Sequence, residues 1–199
     1  MVTTVSMIDS IKNINGWLDD READLLIAVT MMACRDTPPP QIILEIGSYQ
    51  GKSTVLFGSV VKEYFPEAMV YAIDPHEGTV GAEDQGLHTT APTLEIFNKN
   101  VEDAGLSGVI KLINDYSFNV EWDKNIALLF IDGLHDYSNV ARDFWHFANW
   151  VIPGGYVAFH DYSDYYPGVQ AFVKELQETG AYRTVKKAES LMVLQKTIS

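Results

Sequence analysis

The sequence predicts an α/β fold: a parallel sheet flanked by helices and followed by an antiparallel hairpin. From residue 41 onward, short apolar runs dense in Ile, Val, Leu and aromatic residues alternate with helical patterns. Within each run apolar and polar residues do not alternate, as expected for strands buried on both faces of a sheet. Alternation of such strands with helices favours parallel pairing, with helices on both faces.

Five runs are the candidates for the parallel strands. In chain order they are QIILEIG, AMVYAIDP, GVIKLIND, IALLFIDG and GGYVAFHD. The patterns between them predict helices near 52–64, 92–104, 138–149 and 168–179, with only a short segment near 117–123. The last stretch, AYRTVKKAESLMVLQK, predicts two strands around a polar turn at Lys187–Ser190. No crossover helix fits between these two strands, so they must pair antiparallel.

Residues 1–40 form a helical preface ahead of the sheet-forming core at 41–199. In this preface, DDREADLLIAVTMMACR predicts a helix with Asp19 or Asp20 as N-cap and Arg35 in its last turn. We interpret 1–199 as a single domain, because this length can bury a full core. Trp17 and the Met-rich stripe predict either a cover over a ligand site or a contact with a second copy, and we expect a homodimer.

The composition favours a small-molecule partner. The net charge of −13 opposes binding to nucleic-acid backbones and to anionic membranes, so neither partner is expected. Cys34 is the only cysteine, which excludes an intramolecular disulfide and suits a reducing cytoplasm. The N-terminus lacks the basic and apolar regions of a signal peptide, and no stretch is apolar enough to span a bilayer. We therefore expect a cytoplasmic protein.

The stretch GSYQGKST, residues 47–54, resembles a P-loop but has the wrong spacing. A P-loop follows the pattern G-x-x-x-x-G-K-S/T, whose length lets consecutive backbone N–H groups surround a phosphate. Only three residues separate Gly47 from Gly51, so the ring of amides would be one residue short. This spacing disfavours a kinase or ATPase, and Lys52 is interpreted as a solvated helix residue.

An acidic residue follows or ends each of the five predicted parallel strands. In open α/β sheets, ligands bind beyond the carboxyl ends of the strands, so these acids should share one rim. They are Glu45, Asp74, Asp115, Asp132 and Asp161. A rim of this charge is unfavourable for a triphosphate, which also argues against the P-loop interpretation.

Four motifs together resemble the class I S-adenosylmethionine (SAM) dependent methyltransferases, in particular the catechol-type and bacterial sugar or small-molecule O-methyltransferases. They are LEIGSYQGKS at 44–53, YAIDPHEG, FIDGLHDY and PGGYVAFHDY. The resemblance implies a Rossmann-like doubly wound sheet of seven strands in the order 3-2-1-4-5-7-6. It also implies SAM as cofactor and O-methylation of a sugar, glycosylated natural product, phenol or catechol, as in natural-product tailoring.

The resemblance also suggests a set of cofactor-binding residues. Gly47 and Gly51 permit close backbone approach, and the N-terminus of the next helix can hold the SAM carboxylate. Asp74 is expected to accept from the ribose hydroxyls and Asp115 from the adenine amino group, while Glu45 either holds the loop or contacts the SAM amino group. The complete predicted set is Glu45, Gly47, Ser48, Tyr49, Gly51, Ser53, Asp74, Asp115 and Asp132.

The reacting groups are expected after the fourth and fifth strands. Asp132, His135 and His160 are the catalytic candidates, and Asp132, His160 and Asp161 are the candidate ligands of Mg²⁺ or Mn²⁺. Metal-dependent relatives carry an acid in place of His160, and related sequences often carry an acid in place of Leu134. Three alternatives therefore stay open: a metal-assisted enzyme, a metal-independent one with His160 or His135 as general base, or a non-catalytic SAM-binding module.

Further expectations concern the surroundings of this edge. The polar, glycine-bearing segment Glu77–Pro92 is predicted to be a lid or substrate loop, and His76 to lie at the pocket rim. Tyr162, Tyr165 and Tyr166 are predicted to form an aromatic wall for the acceptor. His146 lies among aromatic residues of a helix and is interpreted as a packing residue.

Overall fold

A computed structural model describes residues 3–78 and 91–198 and confirms the predicted sheet. Seven strands pair in the order β3-β2-β1-β4-β5-β7-β6. Strands β1 to β5 are parallel, and β7 is antiparallel to both β5 and β6. Their bounds are β1 Ile42–Ile46, β2 Met69–Ile73, β3 Ile110–Ile113, β4 Ile126–Ile131, β5 Val151–Phe159, β6 Tyr182–Ala188 and β7 Leu191–Lys196.

The predicted helices all occur, with ends shifted by a few residues at most. They are α1 Thr4–Ile11, α2 Asp20–Asp36, α3 Lys52–Tyr64, α4 Leu94–Asp103, α5 Tyr137–Phe147 and α6 Pro167–Glu178. The short segment near 117–123 is a single 3₁₀ turn at Ser117–Asn119. Among the described residues, no helix combines the length and apolar character needed to cross a membrane.

Two details of the chain ends differ from the sequence prediction. The preface contains two helices, because Thr3 starts α1 with its own capping box and Asp19 starts α2 with a second one. The hairpin turn is shorter than predicted: Lys187 pairs with Met192, so only two residues link the strands. Glu189 in this turn has φ +46°, a left-handed conformation suited to a tight connection.

The core consists of two layers, one on each face of the sheet. Side chains of β4 alternate between them, with Leu128 and Phe130 on the face covered by α1 to α4, and Leu129 and Ile131 on the face covered by α5 and α6. This alternation follows from the two-residue period of a strand. The preface therefore packs onto the same face as α3, and α2 also contacts β4 and β5.

The α5 side of the core yields a stability prediction. Phe144 is fully buried, with its ring centroid 5.4 Å from Phe172 and 5.5 Å from Tyr182. Phe144→Ala should lower the free energy of unfolding by about 3–5 kcal/mol, because it leaves a cavity among these rings. Its neighbour Trp145 is 57% exposed, so Trp145→Ala is the matched control and should cost much less. Urea unfolding checks both, and equal losses would contradict the assignment.

Candidate active site

A pocket opens at the carboxyl ends of the parallel strands, where the sequence places it. Its walls come from the segments that follow all five parallel strands, from α5, and from residues 15–18 between α1 and α2. Of the five rim acids, Asp74, Asp132 and Asp161 line this pocket. Glu45 and Asp115 do not, so the rim is less acidic than the sequence indicated.

The glycine-rich loop after β1 needs glycine at its first position. Gly47 has φ +85°, and a Cβ there would lie 2.2 Å from the carbonyl oxygen of Asp132. Gly51 also has a positive φ of +88° and is the N-cap of α3. The loop is thus pressed against the end of β4, which leaves a backbone-lined cradle at the N-terminus of α3.

Asp74 fastens this loop from the neighbouring strand. Its Oδ2 accepts hydrogen bonds of 2.8 Å from the backbone N–H groups of Ser48 and Tyr49, and its Oδ1 accepts one of 2.7 Å from His76. The carboxylate also lines the pocket. Asp74 therefore shapes the loop, and the predicted bond to ribose hydroxyls would have to use its remaining lone pairs.

Glu45 holds the start of α3, the helix that follows the glycine-rich loop. It is fully buried and accepts hydrogen bonds from the hydroxyls of Ser53 and Thr54 in the first turn of α3. Burial raises the pKa of Glu45 to about 8, despite these two hydroxyl donors. Of the two predicted roles, the structure supports the structural one, because Glu45 does not line the pocket. Ser53 does line it, but its hydroxyl is already bound to Glu45.

Three sequence-based expectations about the rim are not met. Asp115 lies outside the pocket, where its Oδ1 accepts from the backbone N–H of Tyr116 and the side-chain amide of Asn119. It thereby shapes the 3₁₀ turn, and Tyr116 and Ser117 line the pocket in its place. His76 is buried beside Thr93, with 2.8 Å between Nδ1 and the threonine hydroxyl, and does not line the pocket.

The third expectation that is not met concerns Lys52, which was predicted to be a solvated helix residue. Its Nζ donates a 3.2 Å hydrogen bond to the carbonyl oxygen of Gly16 and so draws the preface over the pocket. Trp17, 53% exposed, then lies against Tyr49 of the glycine-rich loop with 5.2 Å between ring centroids. The structure therefore supports the cover that Trp17 predicts, while the homodimer stays a prediction.

Two histidines and two aspartates meet at the ends of β4 and β5. His160 Nδ1 lies 3.1 Å from Asp132 Oδ1 and 3.0 Å from Asp161 Oδ2. His135 Nε2 lies 2.9 Å from the same Asp161 oxygen. Asp161 has φ +58°, which ends the extended strand and lets two consecutive side chains point to one place.

A third carboxylate, from the preface, completes this cluster. Glu22 in α2 is buried, and its Oε2 lies 3.1 Å from His160 Nε2. Burial lowers the pKa of His160, but Asp132, Asp161 and Glu22 outweigh it and raise the pKa well above its ordinary value. Burial also works against ionised Glu22, yet the His160 contact holds the pKa of Glu22 at about 2. Without a bound cation, a protonated His160 balances part of the negative charge.

His135 differs from His160 in having one ring nitrogen without a partner. Its Nε2 faces Asp161, while its Nδ1 is buried and has no hydrogen-bond partner among the described residues. Burial lowers the pKa of His135, and the hydrogen bond to Asp161 raises it by more. The His135 ring also packs edge-on against Tyr166, at 4.3 Å between centroids. Of the predicted aromatic wall, only Tyr166 lines the pocket, and Tyr162 and Tyr165 do not.

The spacing of the cluster can accommodate a cation. Asp132, His135 and Asp161 each offer a ligand atom, and these atoms all lie within 4.8 Å of one another. The set expected from the sequence contains His160 in place of His135, and its Nδ1 faces the same two carboxylates. Both sets combine two oxygens with one nitrogen.

The remaining candidates lie at the margins. Of the predicted lid Glu77–Pro92, residues 79–90 lie outside the described residues, so the lid stays a prediction. His146 behaves as the packing residue that was predicted, with Nε2 2.8 Å from the carbonyl oxygen of Val120.

Two residues of the site were not predicted from the sequence, Glu22 and Asp143. Asp143 is buried at the pocket, and its Oδ1 accepts a hydrogen bond from the Ser117 hydroxyl. For Glu22 the available signal was its position three residues after Asp19, which marks a capping box.

Comparison with known proteins identifies the family. A family described as a methyltransferase domain matches residues 44–162, which is more than half of the chain. The chain belongs to this family of methyltransferase domains. The match spans the glycine-rich loop, Asp74, Asp132, His135 and both residues of the His-Asp pair after β5. Its fold is that of the class I SAM-dependent methyltransferases.

Solved structures of other methyltransferases share this fold at low sequence identity. The O-methyltransferase NovP superposes with a TM-score of 0.74 at 15% identity, covering 90% of this chain and 81% of NovP. A SAM-dependent O-methyltransferase from Thermotoga maritima gives 0.67 at 16% identity, with 98% and 72% covered. CalS11, a TDP-rhamnose 3′-O-methyltransferase of calicheamicin biosynthesis, gives 0.63 at 15% identity, with 96% and 92% covered.

One curated relative is an uncharacterized protein of Acanthamoeba polyphaga mimivirus. It is 28% identical over 156 residues, which is 72% of this chain and 63% of the viral protein. The chain thus spans less than two thirds of the length of this relative.

The contact between the glycine-rich loop and β4 can be tested by adding one methyl group. Gly47→Ala should destabilise the protein strongly, because the new Cβ would overlap the Asp132 carbonyl. Gly180 also has a positive φ, +71°, but has open space around it. Gly180→Ala is therefore the control and should cost only the left-handed strain of about 1–2 kcal/mol. Urea unfolding measures the stability of both variants. Equal losses in Gly47→Ala and Gly180→Ala would contradict the predicted overlap at Gly47.

Glu45 predicts a pH dependence of stability. Its carboxyl ionises near 4.5 when unfolded and near 8 when buried, so folding favours the protonated form between these values. Its contribution to stability is therefore full below about pH 4.5 and is lost as pH rises through about 8. Glu45→Gln should remove this slope, and Glu121→Gln, at an exposed glutamate, is the control. Urea unfolding across this range would refute the assignment if wild type and Glu45→Gln show parallel curves.

Proposed function

We propose that the protein is a SAM-dependent O-methyltransferase that acts on a hydroxyl group of a small molecule. The observation that carries the proposal is that one pocket is lined by the glycine-rich loop and by the His135–Asp161 pair. Such a pocket can hold a methyl donor beside a group that accepts a proton. Methyl transfer to oxygen requires both, because the donor and the hydroxyl must be aligned and the hydroxyl proton must leave.

The donor half of the pocket suits SAM. Gly51 caps α3 without a side-chain hydrogen bond, which leaves the N–H groups of the first turn of α3 available to a carboxylate. Asp74 and Asp132 supply negative charge beside this cradle, which favours the cationic sulfonium and amino groups. SAM, when bound, supplies the activated methyl group.

The acceptor half suits a small ring with a hydroxyl. The pocket is lined by the largely apolar side chains of Trp17, Leu134 and Tyr166. Trp17 is 53% exposed and Leu134 is 36% exposed. Among the described lining residues, Lys52 and Arg142 are the lysine and arginine side chains, and Lys52 is bound to Gly16, while His160 is enclosed by carboxylates. Few groups are thus available to a phosphate, which favours an uncharged phenol, catechol or sugar over a nucleotide.

His135 is the residue that we propose accepts the proton. Asp161 accepts from Nε2–H, which leaves the lone pair of Nδ1 without a partner among the described residues; this atom is buried, so the acceptor hydroxyl would reach it only once the side chains that cover it move aside. This arrangement, a carboxylate that holds one imidazole nitrogen while the other acts as base, is common in general-base catalysis. His160 is less suited, because both of its ring nitrogens already face carboxylates.

We also propose that a divalent cation assists. It would be held by the carboxylates of Asp132 and Asp161, with Nδ1 of His160, which faces both, as nitrogen ligand while His135 serves as base. When bound, such a cation lowers the pKa of a coordinated hydroxyl. Mg²⁺ prefers oxygen ligands, so a set containing imidazole suits Mn²⁺ better.

The central test is an acceptor screen with SAM and a panel of catechols, phenols and sugars, read by mass spectrometry for the gain of one methyl group. We expect a methylated product. His135→Gln should lower kcat by about 10²–10⁴-fold, the usual size of a general-base contribution, without weakening SAM binding. His146→Gln, at the packing histidine of α5, is the matched control. Lack of SAM binding in calorimetry would overturn the proposal, and unchanged kcat in His135→Gln would exclude His135 as base.

Metal assistance is tested separately with chelator. EDTA should lower the rate of methyl transfer, because it would remove the cation that the Asp132 and Asp161 carboxylates would hold. Added Mn²⁺ should restore the rate more fully than Mg²⁺, since the ligand set contains nitrogen. The Asp164→Asn variant, altered at an exposed aspartate near the cluster, should respond to chelator as wild type does. Full activity in excess EDTA would eliminate the cation from the proposal.

A further inference from the structure

Glu22 is a buried carboxylate that reaches the reacting edge from outside the family-matched residues. It lies in the first turn of α2, is 3% exposed, and precedes the matched span of 44–162. Its Oε2 faces His160 Nε2 at 3.1 Å, on the side of the ring opposite Asp132 and Asp161. The imidazole is therefore held between the preface and the strand ends.

Glu22 is itself fixed by three further hydrogen bonds. Oε2 also accepts from the backbone N–H of Asp19 at 3.0 Å, which is half of the α2 capping box. Oε1 accepts from the backbone N–H of Ser190 at 2.8 Å and from its hydroxyl at 2.7 Å. With four donors on two oxygens, the carboxylate has one favourable orientation, and it is set before any ligand binds.

The His160 ring needs such a partner to keep its orientation. Its backbone is fixed by the N–H bond to the Ile131 carbonyl, but this leaves the side-chain torsions free. If the ring turned over, a carbon would replace Nδ1 beside Asp132 and Asp161, and both carboxylates would lose a partner. Acceptance of Nε2–H by Glu22 selects the orientation in which Nδ1 faces them.

We propose that Glu22 is a positioning residue for methyl transfer: it orients His160, which in turn holds Asp132 and Asp161 in their reactive arrangement. This inference rests on the proposed function. Glu22 lines no part of the pocket, so it acts only through His160. The arrangement serves a neutral His160 that binds a cation through Nδ1 as well as a protonated one that bonds to the carboxylates directly.

A purely structural role for Glu22 makes a different prediction. If Glu22 only tied α2 to the β6–β7 turn, its loss would lower stability and leave the rate per folded molecule unchanged. Arg21 tests this directly, because it forms an exposed ion pair of 2.7 Å with Glu189 between the same two elements. Arg21→Ala therefore removes a link between α2 and the turn without touching His160.

Two substitutions separate the roles of Glu22. Glu22→Ala removes every acceptor. Glu22→Gln keeps one amide oxygen, which can still face His160 and Asp19, while its NH₂ group can donate to the hydroxyl of Ser190. Both should lower the melting temperature, but only Glu22→Ala should release the His160 ring.

The first measurement is independent of activity. In ¹⁵N-histidine-labelled protein, the His160 ring Nε2–H should exchange slowly with water, with its assignment made by loss of the signal in His160→Gln. We expect this protection to be lost in Glu22→Ala and kept in Glu22→Gln and Arg21→Ala. Undiminished protection of Nε2–H in folded Glu22→Ala would overturn the proposal. If Glu22→Ala does not fold, the wild-type protein alone decides: fast exchange of its His160 Nε2–H would also overturn the proposal.

The second measurement uses the acceptor found in the screen. Glu22→Ala should lower kcat per folded molecule by about 10²-fold, as expected for a misplaced reacting group, with KM for SAM and acceptor little changed. Glu22→Gln should recover most of this loss, and Arg21→Ala should match wild type. Equal kcat in wild type and Glu22→Ala would show a structural role only. Absence of transfer in wild type would instead reject the proposed function, while the exchange measurement still decides the position of His160.

Discussion

The close approach of Gly47 to the main chain of Asp132 determines the shape of the pocket. Gly47 donates its backbone N–H to Ile73, and Asp132 donates its own to Ile46, so the loop is attached to the ends of β2 and β4 together. The donor cradle and the reacting cluster thus share one junction of parallel strands. Their separation is fixed by the backbone, which is what an in-line transfer between two bound molecules requires.

Around this junction the protein buries charged groups, each of which would destabilise the fold if it were buried without a partner. Asp132, Asp161 and Glu22 surround His160, and each carboxylate has at least one imidazole or backbone donor. Desolvation of such groups costs free energy that their mutual attraction offsets only when the geometry is good. The cluster therefore adds little net stability to the fold, and what it provides is a fixed relative placement of two imidazoles and three carboxylates.

The sequence was sufficient for the sheet and for the side of the sheet that binds ligands, because strand period and strand-end acids are local features. It was not sufficient for contacts between distant segments. The bond from Lys52 to Gly16 depends on how the preface folds back, and the position of His160 depends on the left-handed turn at Asp161. Asp115 was assigned to the pocket because it follows the third strand. In the structure its carboxylate instead accepts a hydrogen bond from Tyr116, at the start of the 3₁₀ turn.

The bond between Glu22 and Ser190 joins residues separated by 168 positions, and this has a consequence for the order of folding. Closing so long a loop costs entropy that local contacts do not, so such pairs form late along a folding pathway. The parallel strands and their helices can assemble first around the apolar layers, while Glu22 and His160 are still hydrated. Docking of the hairpin then brings Ser190 to Glu22, so a chain without its final strands would lack two of the four donors that fix this carboxylate.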